Sequence, residues 1–198
     1  MNAGPSNTEF EADLRAIAQR SGGAAPEFAE RLLAAGRVPD HPGEHTGLLI
    51  VDVQHAFSPR LALTAGIAAL ALRYAITAAT RFVNGPGSLY RRALDWHGCS
   101  DGPDTRLAID FIPGIVVDKW GYGLPRHAVD RLTLTGITEW HLCGLETDAC
   151  VLAVAYSLWD AGMRPFLLAD LCASVDPALH AAAVDIFARQ FGADSVLR

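Results

Sequence analysis

The chain has 198 residues, 51% apolar and 19% charged, which is about one domain's worth of core-forming sequence and excludes a disordered polymer. With 16 basic and 22 acidic residues the net charge is −6, so no basic surplus exists to meet nucleic-acid phosphates or an anionic membrane. No run approaches the roughly 18 consecutive apolar residues of a membrane span, and four cysteines are too few to staple a chain of this length.

The first residues, MNAGPSNTEFEADLR, carry acids and lack the apolar stretch of a signal peptide, so a cytoplasmic location is expected. Residues 1–46 read as a helical arm and linker. Thr8-Glu9-Phe10-Glu11 has the form of a capping box, after which Phe10, Leu14 and Ile17 share a helical face. Pro26 opens a second helix with Phe28 and Leu32 on one side, Gly36 stops it, and Val38 to Gly43 form the linker. Two such apolar faces predict packing on the domain or on another copy, hence a homo-oligomer.

From residue 47 to 198 the rhythm is strand then helix. The apolar runs at 48–51, 76–82, 115–117, 140–143 and 165–169 do not alternate with polar residues, as befits strands buried on both faces. Helical patterns stand between them at 62–73, 126–134, 149–161 and 177–191, and a short sixth strand is expected at 195–197. These elements predict an α/β fold: a three-layer α/β/α sandwich around a doubly wound, mostly parallel sheet of about six strands.

Ligands of such sheets sit beyond the carboxyl ends of the strands. Asp52 follows the first strand, Lys119 the third, and Cys150 lies just past the fourth, where Thr147 or Asp148 can cap the next helix. A thiol in a first helical turn meets unsatisfied N–H groups, which favour the thiolate, and a nearby ammonium adds to that effect. Lys119 is the only lysine among the 16 basic residues, so an ammonium rather than a guanidinium is needed there. Asp52 is suited to carry a proton in both directions. Phe57, Trp120 and Tyr122 follow these strand ends as candidate substrate-binding walls.

Three blocks, Leu49 to Phe57, Val117-Asp118-Lys119-Trp120-Gly121-Tyr122, and Cys143-Gly144-Leu145-Glu146-Thr147-Asp148-Ala149-Cys150-Val151, resemble the isochorismatase-like cysteine hydrolases. That family includes nicotinamidases and N-carbamoylsarcosine amidases. The resemblance implies a catalytic triad of Asp52, Lys119 and Cys150, a cis peptide between Leu145 and Glu146, and an oxyanion hole from the N–H groups of Glu146 and Cys150. It further implies hydrolysis of a C–N bond in a small amide or ureido compound through a thioester. Vinyl-ether hydrolysis of the isochorismatase type is the alternative within the family, whose members usually lack the cysteine; a non-catalytic scaffold is the alternative outside it.

Nicotinamidases resembling this chain carry an Asp-x-His and a later His after the second strand as metal ligands. Here that stretch reads Thr80-Arg81-Phe82-Val83-Asn84-Gly85-Pro86-Gly87, so no metal and no other cofactor is expected. His97 and Cys99 alone are a poor zinc site. Cys143 reads as core, Cys172 as a loop residue after the fifth strand near the active rim, and His127 and His180 as helix-surface residues. Trp96 and His97 are expected on a loop over the pocket or on the surface. No C-x-x-C pair is present for thiol–disulfide exchange.

Overall fold

The computed structural model describes residues 42–100 and 102–198, so the expected helical arm lies outside the described residues. Six strands form one sheet: β1 (Thr46–Val51), β2 (Thr77–Phe82), β3 (Ile115–Lys119), β4 (Glu139–Leu145), β5 (Arg164–Ala173) and β6 (Val196–Leu197). Their order is β3-β2-β1-β4-β5-β6, and every neighbouring pair is parallel. Five α-helices connect them: α1 (Leu61–Ala71), α2 (Leu89–Leu94), α3 (Arg126–Thr133), α4 (Leu152–Asp160) and α5 (Pro177–Phe191).

All six residues of β1 are buried because its two faces enter two different cores. Leu49 and Val51 pack with Trp140, Leu142 and Leu167 against α3, α4 and α5. Leu48 and Ile50 pack with Cys143 and Leu168 against Leu63, Ile67 and Leu70 of α1. Each fully buried leucine contributes about 2 kcal/mol of transfer free energy, so the alternate faces of one strand anchor both outer layers. The three-layer arrangement follows from that division.

The chain leaves β1 toward β2 on one side and enters β4 on the other. The crevice at this reversal of strand order is where a doubly wound sheet leaves room for a ligand. β4 can lie beside β1 there only because position 144 has no side chain. Gly144 has φ +126°, its pairing with β5 shifts register after Leu142, and an added Cβ would stand 2.1 Å from the Val51 carbonyl oxygen. α2 and two short 3-10 turns, His55–Phe57 and Gly102–Thr105, were not signalled by hydrophobic periodicity, since six residues or fewer do not complete a repeat.

Candidate active site

β1 ends at Val51, and Asp52 turns the chain in the left-handed region, φ +49°, where Asp is tolerated better than most residues. That turn aims its carboxylate at the neighbouring strand ends. Thr80 of β2 clamps the residue twice: its hydroxyl donates to Asp52 Oδ1 at 2.7 Å and accepts the Asp52 N–H at 3.1 Å. Gln54 ties the same two strand ends, donating Nε2–H to the Phe82 carbonyl at 3.0 Å and accepting the Phe82 N–H at 2.7 Å.

Lys119 closes β3 and is fully buried, as is Asp52. Its Nζ donates to the Gly121 carbonyl at 2.8 Å and the Tyr122 carbonyl at 3.0 Å. An ammonium has three N–H bonds. With two held by backbone, the third is left for Cys150 Sγ, 3.4 Å away, while Asp52 Oδ2 stands 2.7 Å from Nζ. The Asp52 contact is one of charge without an aligned hydrogen bond, which leaves Oδ2 a lone pair open to a proton. The ring of Phe82 lies beneath the ammonium, 5.3 Å from Nζ to its centroid. Asp52, Lys119 and Cys150, expected from three separate strand ends, thus meet in one buried cluster.

Cys150 stands in a π-type turn, Thr147–Val151, that precedes α4. Neither Thr147 nor Asp148 caps it, contrary to expectation. The N-cap is Glu146, with no side-chain cap bond, and the Thr147 hydroxyl is paired with His180 Nδ1 at 2.9 Å. His180 is therefore half-buried rather than a plain surface residue, while His127 is exposed. The expectation of a thiolate is also corrected: burial first, and the Asp52 carboxylate second, push the Cys150 thiol up to about 12, with Lys119 only partly offsetting them. Desolvation disfavours the charged thiolate and so opposes the effect expected from the helix terminus.

The Leu145–Glu146 peptide is cis, and it delivers the chain from β4 into the π-type turn. The Glu146 side chain points away to the turn before α5, accepting the Val175 N–H at 2.6 Å. Among the proposed pocket walls, Phe57 stacks on Trp96 with ring centroids 5.7 Å apart, and Tyr122 meets Tyr90 edge-on at 5.2 Å. Trp120 lies against His127 of α3, at 5.4 Å, and is 56% exposed. Trp96 is half-buried among Phe57, Phe82 and Tyr90, and His97 is exposed and bonded to Asp95. Cys143 is core, as expected. Cys172 is not in a loop: it lies within β5, paired in register with Gly144 and buried.

The isochorismatase domain family matches residues 46–195. The chain therefore belongs to the isochorismatase-like hydrolases. None of the curated proteins matches the sequence. Among solved structures, the pyrazinamidase of Pyrococcus horikoshii, in complex with zinc, superposes with a TM-score of 0.66 at 18% identity, covering 77% of this chain and 97% of that one. The nicotinamidase of Bacillus subtilis gives 0.63 at 18% identity, covering 75% and 97%. N-carbamoylsarcosine amidase from Thermoplasma acidophilum gives 0.61 at 22% identity, covering 74% and 92%.

The residues beyond β2 do not fit a metal such as the zinc of the Pyrococcus protein. Asn84 is buried and its amide donates to the carbonyls of Trp96 at 2.9 Å and Gly98 at 3.0 Å. Cys99 is fully buried while His97 faces solvent, so the two do not converge. Among the described residues no group of three or more His, Cys, Asp or Glu side chains is placed to hold a metal ion. Thr80, Gln54 and Tyr90 are the site residues that sequence reasoning missed. Thr and Tyr are ordinary strand and helix-face residues, and only the partner across the sheet reveals their role.

Proposed function

We propose that this protein is a cysteine-dependent hydrolase that cleaves the C–N bond of a small amide or ureido compound through a thioester. The observation that carries the reading is the shared ammonium, with Lys119 Nζ 2.7 Å from Asp52 Oδ2 and 3.4 Å from Cys150 Sγ. The thiol proton passes to Asp52 Oδ2, and the sulfur, its charge countered by Lys119, attacks the substrate carbonyl carbon. The N–H groups of Glu146 and Cys150 hold the oxyanion that develops. Collapse of the tetrahedral intermediate breaks the C–N bond, and Asp52 returns its proton to the departing nitrogen, leaving the acyl group on sulfur. Water then attacks the thioester while Asp52 takes its proton. Release of the acid breaks the C–S bond, and the proton returns to the thiolate.

Proton carriage of this kind is worth on the order of 10²–10⁴ in rate. The retained cysteine disfavours the vinyl-ether reaction, and the buried charge cluster has no purpose in a scaffold. Ammonia release over a panel of primary amides, N-carbamoyl compounds and ureides tests the reaction, with Lys119→Arg alongside. A guanidinium is broader and planar and cannot meet two carbonyls, a carboxylate and a sulfur from one point, so the variant should fold yet lose at least about 100-fold of its activity. A variant as active as the parent would remove Lys119 from the mechanism.

A further inference from the structure

A cavity of about 620 Å³ opens beside the cluster, between the turn after β2, helix α2 and the turn after β3. That volume lies within the roughly 300–1,000 Å³ of small-molecule sites. Its walls include Val83, Pro86, Leu89, Tyr90, Leu94 and Trp120, and among the described residues no charged side chain lines it. Leu89, Leu94 and Trp120 are 66%, 63% and 56% exposed, so apolar surface of the kind that marks a recognition site is left facing this space.

The cavity adjoins the buried cluster through two residues that serve both. Gly121 and Tyr122 line it. The carbonyls of the same two residues hold Lys119 Nζ, which in turn stands 3.4 Å from Cys150 Sγ. Tyr90, on the same wall, meets Tyr122 edge-on at 5.2 Å and packs at 4.8 Å on the ring of Phe82, which lies 5.3 Å from Lys119 Nζ.

Resting on the hydrolase reading above, we propose that this cavity seats the non-reacting part of the substrate, and that the substrate is a primary amide with a bulky, uncharged, apolar substituent. A carboxylate tail, as in an N-carbamoyl amino acid, would lose its hydration against these walls with no cation to meet it. Each buried methylene should instead raise kcat/KM about fourfold.

The test is kcat/KM for acetamide, butanamide and hexanamide, and for the chain-matched monoamides of dicarboxylic acids, with the native protein and Leu94→Glu. Leu94 is largely exposed on α2, so the substitution leaves the core untouched. We expect kcat/KM to rise with chain length, the anionic amides to fall at least about 10-fold below their neutral counterparts, and Leu94→Glu to flatten the length dependence. A flat series in the native protein, or preference for the anionic amides, overturns the proposal. If no amide is turned over, the hydrolase reading fails first. Calorimetric binding of hexanamide to Cys150→Ala then decides the cavity alone: binding that Leu94→Glu abolishes supports it, and no binding overturns it. A sedimentation shift in Leu94→Glu with length dependence intact would assign this face to a second copy of the chain and also overturns it.

Discussion

Cys150, Lys119 and Asp52 form a single buried charge cluster, and both neighbours act on the Cys150 thiol. The Asp52 carboxylate raises the thiol pKa while the ammonium lowers it, and burial keeps water from screening either. Asp52→Asn should therefore act in two opposite directions. Asparagine tolerates the left-handed backbone of position 52 and keeps an oxygen for the Thr80 hydroxyl, so the fold survives. Without the carboxylate the thiol pKa should fall below about 12, because Lys119 is then opposed by burial alone. Activity should nevertheless fall by about 1,000-fold, since no group remains to carry the proton. Ultraviolet absorbance of the thiolate against pH reads this directly, because burial pushes Cys99 and Cys172 up to about 12 and holds Cys143 well above the ordinary thiol range. An unchanged thiol titration in the variant would mean that Asp52 does not set the state of the sulfur.

The strand ends hold this system together, and Gly144 controls their approach. An added methyl at 144 would collide with the Val51 carbonyl at 2.1 Å, in a backbone conformation with φ +126° that L side chains avoid. Gly144→Ala must push β4 from β1 or unwind the end of the strand. A loss of at least about 3 kcal/mol is expected, or a fall in Tm of roughly 6–12 °C, by thermal unfolding. A shift under about 2 °C would show that the strands can separate at little cost. The five longest strands were legible because each holds several apolar residues without strict alternation, although Thr80 and Arg81 interrupt β2, and α5 because Pro177 and Gly192 punctuate its ends. The start of the fourth helix was not. Thr147 and Asp148 carry good capping groups, but Thr147 hydrogen-bonds His180, a partner 33 residues away that no local rule can see. Cys172 was misplaced for a related reason: β5 runs ten residues, and its polar Asp170 reads as a strand end although pairing continues to Ala173.

At the scale of the whole molecule, the strand order brings groups from positions 52, 80, 119 and 150 to one rim of the sheet. Position along the strands was enough to find three of them. The upward push on the Cys150 thiol was not legible, because burial is a property of the assembled layers. Burial also sets the molecule's response to acid. His141 in β4 is 4% exposed, hydrogen-bonded through Nδ1 to the Tyr74 hydroxyl at 2.6 Å, and burial lowers its pKa to about 4. Between the ordinary 6.5 and about 4 the unfolded chain binds a proton that the folded chain refuses. Stability should thus fall as pH drops through that window, by about 3 kcal/mol from this residue. Urea unfolding across the window should show a shallower pH slope for His141→Gln, and equal slopes would assign the acid sensitivity elsewhere. Among the described residues no helix is long and apolar enough to cross a membrane.

Whether Cys150 carries the substrate's acyl group is decided by capturing that group. Hydroxylamine added to the protein during turnover of a primary amide such as hexanamide competes with water for a thioester and yields the hydroxamate, whereas direct attack of water on the amide leaves nothing for it to intercept. Hydroxamate is expected in proportion to hydroxylamine with undiminished ammonia release, and neither product from Cys150→Ala. Ammonia release with no hydroxamate at any hydroxylamine concentration, or equal hydroxamate from Cys150→Ala, would contradict an acyl group on Cys150.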